Sequence, residues 1–341
     1  MNDFLQKLID SDRKIKSYVD SRHIIKQGLA PLKALVDCSY IIQKANLLES
    51  AKYQNWQNKA AQLFSCLHTN QIKFLVFKGF SYSYLLYNNT AIRPYSDIDV
   101  LIQYKDYKHV STILNDLSYQ CYPSRQGEFI SFQNTFFDQK PLQTLFDIHW
   151  QISNRVEFHQ HFGFTDLYDS AQIIETPEIY FKTLSHSMAF IYGCFHFLAH
   201  RPEDRKHIWL YDLAMLWNNM TADKQKQCMI QAQKTQQLDI IYKVLLLLTE
   251  VFGALIQYDM NVIQTNIEGT SSYVRRRKRK ITDINTRIKS INGFSNKLKF
   301  ISEYLFQDTV YMQNRYHLKS NRWVVFYYPK MWFEDIIKLF K

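Results

Sequence analysis

Glycine and proline are scarce in this sequence: its 341 residues include only 8 Gly and 7 Pro. Collagen-like chains, low-complexity linkers and loop-rich β-sandwiches need many of these residues, so their scarcity excludes those classes and favours helices. Long uninterrupted apolar runs are also missing. The longest, at 240–256, contains Lys243 and Glu250 and is shorter than the roughly 20 apolar residues that span a bilayer. It predicts a buried helix and no integral membrane association.

The cysteines give no sign of a disulfide framework or a zinc ribbon. There are 5 of them, an odd number, widely spaced and without a CxxC pair. The N-terminal stretch MNDFLQKLIDSDRK carries acids and a lysine where a secretory signal would have its apolar core. Both features predict a protein of the reducing cytoplasm.

The glycine-dependent motifs of several large enzyme classes are absent. The sequence has no GxSxG, no Walker loop and no GxGxxG, so α/β-hydrolase, P-loop and Rossmann folds lose their support. The content of 46% hydrophobic residues predicts a packed core. The 42 Lys and Arg against 31 Asp and Glu give the chain a net charge of +11. That charge favours a partner that carries phosphate: a nucleotide, a nucleic acid or an anionic membrane surface.

Apolar periodicity divides the chain into three predicted regions. Helical spacing over 31–68 predicts an N-terminal helical region at 1–70. Strand and helix patterns alternate over 71–154, and the pattern over 155–341 is mainly helical. The expected fold class is therefore α+β: a small mixed-sheet lobe flanked by helices, followed by an α-helical lobe.

The middle region contains short strands and helices in alternation. Its predicted elements are strands at 73–78, 97–102, 128–137 and 142–150 and helices at 79–87 and 105–117. The last two strands predict an antiparallel pair around the turn QKPL. In the third region the predicted helices lie at 178–200, 208–218, 222–236, 238–255 and 298–311.

Three acids lie in or beside these apolar strands. Asp97 and Asp99 flank Ile98, and because side chains alternate across a strand, both carboxylates should project from one face. Asp147 lies in the apolar run TLFDIHW, where a carboxylate is costly unless it is paired or bound to metal. Mg²⁺ is bound in proteins through one or two carboxylates and substrate phosphates. A third acid would complete a two-metal site, so we expect the three to converge.

Phosphate-type signals precede these acids. Lys78, Gly79 and Ser81 join the first strand to its helix, where Gly allows a ligand to approach the backbone and the helix N-terminus offers N–H groups to phosphate. Arg93 follows, and its guanidinium would meet phosphate oxygens bidentately. An isolated Lys or Arg in a basic protein is usually a solvated surface charge, so the order of these residues carries the interpretation.

That order resembles the uncharacterised nucleotidyltransferase family of the DNA polymerase β-like superfamily. The matching segments are Lys78-Gly79, Leu85, Tyr87, Arg93-Pro94, DIDVLI at 97–102, FDIHW at 146–150, HFLAH at 196–200 and WLYDLA at 209–214. The resemblance covers 73–217. It departs from the wider superfamily in two ways: Lys78 precedes Gly79 where many members carry Gly-Ser, and 18 positions separate Gly79 from Asp97.

The resemblance implies a nucleotidyltransferase lobe at 71–154 and transfer of a nucleoside monophosphate from an NTP to a hydroxyl acceptor, with release of pyrophosphate. It also implies two bound Mg²⁺ ions, with Mn²⁺ as an alternative, and Asp147 as general base. The implied metal ligands are Asp97, Asp99 and Asp147, and the implied triphosphate contacts are Lys78, Gly79, Ser81 and Arg93. The acceptor stays open between RNA or tRNA, a protein, a peptide and a small molecule. The alternative function is a non-catalytic nucleotide- or RNA-binding protein that retains the fold.

Three further features have structural as well as functional interpretations. His196 and His200 have the spacing of a zinc pair but lack the glutamate of HExxH, so we interpret them as satisfied polar groups where the helical lobe meets the catalytic lobe, with Asp212 as a partner. The cation cluster at 275–280 either binds a nucleic-acid backbone or is a solvated loop. The aromatic, basic stretch at 321–341 either lies on a membrane surface or, as we favour, packs against helices.

Two experimental expectations follow from the sequence. Every phosphate-type signal lies before Trp150, so the nucleotide is expected to bind there and the acceptor beyond 155. Replacing Asp99 with Asn is expected to abolish transfer and leave the fold intact, because it removes repulsion between neighbouring carboxylates.

Overall fold

The structure is a computed structural model. It describes residues 40–87, 90–125, 127–139, 143–253, 284–285, 288–289, 291–318 and 320–340. The basic cluster at 275–280 and residues 140–142 of the QKPL turn lie outside these ranges. Among the described residues, no helix has the length and apolar character needed to cross a membrane.

Seven strands within the described ranges form one mixed sheet. They are β1 (Phe74–Phe77), β2 (Ile98–Ile102), β3 (Gln120–Cys121), β4 (Gln133–Phe137), β5 (Leu145–His149), β6 (Gln172–Glu175) and β7 (Tyr180–Thr183). Their order across the sheet is β3-β4-β5-β2-β1-β7-β6. Strand β7 runs parallel to β1, whereas β3 and β4, β4 and β5, and β6 and β7 pair antiparallel. The predicted α+β class with a mixed sheet is confirmed.

Helices account for most of the remaining described chain. They are α1 (Tyr40–Thr69), α2 (Lys78–Leu86), α3 (Tyr107–Asp116), α4 (Val156–His159), α5 (Phe164–Asp169), α6 (His186–Ala199), α7 (His207–Asn218), α8 (Ala222–Lys234), α9 (Leu238–Phe252), α10 (Phe294–Leu305), α11 (Thr309–Tyr316) and α12 (Val324–Phe340). The strand-to-helix unit β1–α2, the β4–β5 pair and helices α7 to α9 confirm the sequence predictions for these stretches.

Two stretches differ from the helical prediction. Strand β7 lies inside the helix predicted over 178–200, and β6 lies in the region predicted to be mainly helical, so α6 begins only at His186. Each strand has 4 residues, too few for periodicity to separate a strand from a helix. The single helix predicted over 298–311 is two helices, because the Asp308 side chain accepts a hydrogen bond from the Tyr311 backbone N–H and so starts α11.

The chain groups into two compact units, each made of two stretches. The first unit contains 1–99 and 167–275, the second contains 100–166 and 276–341. The boundary after Asp99 falls inside β2. The sequence predicted three consecutive regions with boundaries at 70 and 154. That division stays a prediction.

Aromatic packing forms the core of the first unit around β1. All four residues of β1 are buried. Phe64 of α1, Phe80 of α2 and Phe181 of β7 pack against one another with ring centroids 5.6 to 6.2 Å apart, in tilted and edge-to-face pairs. This core fixes the start of α2, which follows β1 without an intervening loop.

Polar contacts tie the C-terminal helices to the loop before β4 in the second unit. Arg125 forms an ion pair with Asp335 of α12. Glu303 of α10 accepts hydrogen bonds from the backbone N–H groups of Glu128 and Phe129 at 3.1 and 3.0 Å. One face of α12 therefore contacts protein, while Phe326, Phe333 and Ile336 on the same helix are exposed, so the packing of 321–341 against helices stays a prediction.

Replacing Glu303 with Ala is expected to lower the free energy of unfolding by about 2 kcal/mol, because hydrogen bonds to a charged group contribute more than neutral ones. The backbone at Gly127, with φ at +150°, passes close to this carboxylate. A Cβ at this position would lie only 2.6 Å from Oε2 of Glu303, too close for a side chain. Urea denaturation followed by tryptophan fluorescence measures the change. Ser302→Ala, at an exposed position of the same helix, is the control. Equal losses in both variants would contradict the expectation.

Candidate functional site

The junction between β1 and α2 is a strained turn. Lys78, the first residue of α2, has φ at +59°, a left-handed conformation that residues other than glycine rarely adopt. A Cβ on the following Gly79 would lie 2.5 Å from Nη1 of Arg93 and 3.0 Å from Cβ of Tyr95. Glycine is therefore required at 79 for this close approach. Strain of this kind is found at ligand and catalytic sites.

A buried ion pair lies at this junction. Nζ of Lys78 is 2.5 Å from Oδ1 of Asp99, whose side chain is 1% exposed. Burial raises the pKa of Asp99 and the Lys78 charge works against that rise. Burial acts to lower the pKa of Lys78, but the combined effect of Asp99, Tyr192 and Asp97 is larger and raises it. The net shift of the pKa is upward, so the lysine stays protonated.

Asp97 lies one residue before β2 and is half-buried. Oγ of Ser96 donates a hydrogen bond to its Oδ1 at 3.0 Å. All five residues of β2 are buried, so this strand is covered on both faces and does not alternate between core and solvent. The predicted convergence of Asp97 with Asp99 assumed that side chains alternate between the two faces of a strand. Asp97 lies outside β2, so that rule does not fix its direction, and the convergence stays a prediction.

Strand β4 holds the carboxylate of Asp147 in a fixed orientation. Asp147 lies on β5 and is 9% exposed. Oγ1 of Thr135, directly opposite in the β4–β5 register, donates to its Oδ1. Nε2 of Gln133 donates to Oδ2 at 3.2 Å. These hydrogen bonds leave further lone pairs on both carboxylate oxygens.

Three side chains on β2 and β5 form a candidate metal group. Asp99, Asp147 and His149 each offer one ligand atom, and these atoms lie within 4.8 Å of one another. The donor set of two carboxylates and one imidazole fits a divalent cation, and its oxygen majority favours Mg²⁺ or Mn²⁺. The sequence interpretation missed His149 as a donor. Its spacing from Asp147 is the same two-residue alternation that singled out Asp97 and Asp99.

Arg93 forms a second buried ion pair, with Asp212 of α7. Nη2 of Arg93 is 2.6 Å from Oδ2 of Asp212, and Nε is 3.2 Å from the same oxygen. The Tyr87 hydroxyl donates to Oδ1 of Asp212 at 2.7 Å. Burial acts to lower the pKa of Arg93, but Asp212 raises it more, so the guanidinium stays charged. Asp212 thus holds a buried arginine and a tyrosine, whereas the sequence interpretation made it the partner of His196 and His200.

The Ser81 side chain closes the first turn of α2. Its hydroxyl is fully buried and donates to the backbone oxygen of Lys78 at 3.1 Å. This contact supports the strained conformation at 78. The triphosphate contacts expected of Ser81, Lys78, Gly79 and Arg93 stay predictions.

Comparison with known proteins identifies one family. The model of a family described as uncharacterised nucleotidyltransferase matches residues 23–253. The match extends beyond the 73–217 covered by the resemblance seen in the sequence, toward both ends. No curated protein is similar enough to count as a match.

Two solved structures among those that match are nucleotidyltransferase-like. One is an antigenic nucleotidyltransferase-like protein from Paracoccidioides brasiliensis, 14% identical, with a TM-score of 0.42 over 62% of this chain and 98% of that chain. The other is the antibiotic-resistance factor ANT(2'')-Ia, 12% identical, with a TM-score of 0.36 over 53% of this chain and 92% of that chain.

Proposed function

The chain belongs to the uncharacterised nucleotidyltransferase family, and from that premise we propose that it transfers a nucleoside monophosphate from an NTP to a hydroxyl acceptor and releases pyrophosphate. The observation that carries this proposal is the buried group of Asp99, Asp147 and His149. Such a donor set holds the cation that nucleotidyl transfer needs beside phosphates. A cytoplasmic location goes with the proposal.

Metal binding is proposed for the three acids that the family resemblance implies. Asp97, Asp99 and Asp147 would hold Mg²⁺, or Mn²⁺ in its place, with His149 as an added donor. When bound, the metal neutralises phosphate charge and lowers the pKa of the attacking hydroxyl. Lys78 presents three N–H donors, of which Asp99 accepts one and Tyr192 another, so one is left for a phosphate oxygen.

The proposed reaction is an in-line displacement at the α-phosphorus. The acceptor oxygen forms a bond to the α-phosphorus, and the bond from that phosphorus to the bridging oxygen of pyrophosphate breaks. Pyrophosphate leaves with the bonding electron pair, and the acceptor proton passes to a carboxylate oxygen of Asp147. Lys78 stabilises charge on the phosphates, while Thr135 and Gln133 keep the Asp147 carboxylate oriented.

The position of the label in the NTP tests this proposal. The protein is incubated with each NTP labelled at either the α- or the γ-phosphate, with Mg²⁺ or Mn²⁺ and fractionated RNA, protein or small molecules. We expect α-label to enter one acceptor fraction and γ-label to leave as pyrophosphate, with neither event in EDTA. The labelled fraction names the acceptor class.

Two results would contradict it. Entry of γ-label into the acceptor would indicate phosphoryl transfer, and tight NTP binding with no release of pyrophosphate in any fraction would favour the alternative of a non-catalytic nucleotide- or RNA-binding protein.

A further inference from the structure

A cluster of aromatic and imidazole rings lies on α6 and the start of α7. We call it the aromatic wall, and it comprises Tyr192, His196, His200 and Trp209. The rings of His196 and His200 are 4.6 Å apart, and each lies 5.0 Å from the ring of Trp209. The ring of Tyr192 stacks with that of His196 at 5.9 Å. His196, His200 and Trp209 are only half-buried, so part of each residue is exposed to solvent.

The aromatic wall is continuous with the charged residues of the first unit. The ring of Phe77, the residue before Lys78, lies 5.5 Å from the ring of Tyr192 in an edge-to-face pair, and Nζ of Lys78 lies 5.1 Å from the centroid of the Phe77 ring. Burial lowers the pKa of His200, and the Lys78 charge lowers it further against the effect of Asp204. Lys78, which pairs with Asp99, therefore lies beside the Tyr192 end of the wall.

The loop after α6 holds the wall in place. Arg205 donates from Nε to the backbone oxygen of His200 at 3.1 Å and from Nη2 to that of Leu198 at 3.3 Å. These bonds satisfy carbonyls at the C-terminal end of the helix, which lack intrahelical partners. Nζ of Lys206 lies 6.0 Å from the Trp209 ring and adds a cation at the rim. The wall is thus a set of packed rings held in place by the loop after α6, with positive charge at its edge.

We propose that the aromatic wall binds the base of the NTP by stacking, while Lys78 contacts its phosphates. This inference rests on the proposed function. It is drawn from the wall's position beside Lys78: Tyr192 at one end of the wall packs against Phe77, the residue before Lys78. Aromatic side chains bind bases through their π faces without requiring one particular base. The assignment differs from the sequence-based expectation that residues before 150 alone bind the nucleotide.

Comparing a nucleotide with a base-free analogue tests the wall directly. Calorimetric titrations with Mg²⁺ measure the affinity of the protein for each of the four NTPs and for inorganic tripolyphosphate. In Trp209→Ala we expect NTP affinity to fall about tenfold or more, the size of a lost stacking contact. Tripolyphosphate affinity is expected to stay unchanged, which also shows that the variant folds. Trp209→Phe keeps a π face and should stay within about threefold of the parent protein.

Control variants distinguish the loss of base stacking from an unspecific effect of removing an aromatic side chain. Trp323→Ala removes a more exposed indole in the second unit and should change neither affinity. If Trp209→Ala fails to fold, His200→Ala carries the same expectation with an effect of about fivefold. Lys78→Ala should weaken NTP and tripolyphosphate alike.

Three outcomes would overturn the inference. Equal affinity of the parent protein for NTP and tripolyphosphate would mean that the base is not bound. An unchanged NTP affinity in Trp209→Ala would assign the wall to another ligand, such as the acceptor. Both results leave the proposed transfer reaction standing. If the parent protein binds neither probe, the proposed function fails together with the inference.

Discussion

Replacing Asp147 with asparagine is expected to reduce nucleotidyl transfer by at least about 100-fold while the fold survives. The loss follows from removing the charge of a carboxylate proposed to hold metal and accept a proton, effects worth several kcal/mol at about 1.36 kcal/mol per tenfold in rate. The fold should survive because asparagine has the same shape and its carbonyl oxygen can still accept the Thr135 hydrogen bond. Gln133 can turn its amide to meet the new NH₂ group.

Transfer of α-label from the preferred NTP, in the acceptor fraction already identified, measures this loss. Asp116→Asn removes the same charge at an exposed position of α3 and should retain full activity. Circular dichroism and a urea titration establish that both variants fold. Transfer by Asp147→Asn within about threefold of the parent protein would exclude Asp147 from the reaction.

The local patterns of the sequence predicted the centre of the sheet well. A run of apolar residues closed by one glycine gave β1 and α2, and two alternating runs gave the β4–β5 pair, because in these stretches neighbouring residues determine the structure. Strand β7 was missed because its four residues gain their conformation from pairing with β1, with Thr183 opposite Val76. That pairing joins residues more than 100 positions apart, and no local pattern contains it.

Local sequence patterns also could not predict the partners of the charged residues in the candidate site. The sequence placed Asp99 beside Asp97 and expected Asp99→Asn to relieve repulsion. In the structure Asp99 pairs with Lys78, so the substitution leaves a partly buried ammonium without its counter-charge and is expected to destabilise the protein. Asp147→Asn is therefore the cleaner test of the chemistry. The residue types were visible in the sequence, but their partners depend on how β1 and β2 lie in the sheet.

Arg93 and Asp212 are 119 positions apart and form the buried pair with the largest expected effect on stability. Asp212→Asn is expected to lower the free energy of unfolding by about 3 to 5 kcal/mol, because it leaves a buried guanidinium without its counter-charge. The substitution also weakens the hydrogen bond from the Tyr87 hydroxyl, because a neutral amide oxygen replaces the charged carboxylate oxygen as its acceptor. Urea denaturation measures the change. Asp204→Asn, which breaks the exposed pair with Arg201, should have a much smaller effect.

The double variant Arg93→Met with Asp212→Leu separates the structural role of Arg93 from the phosphate contact that the family resemblance implies. Replacing both partners of a buried ion pair with apolar residues is often neutral, so we expect it to regain most of the stability lost in Asp212→Asn. If the arginine serves only to join α7 to the segment before β2, the refolded double variant will bind tripolyphosphate as tightly as the parent protein. A fall of about tenfold or more, the size of one lost charge-assisted contact, would assign Arg93 to the triphosphate instead. A double variant as unstable as Asp212→Asn would show that the pair stabilises the protein by more than mutual neutralisation.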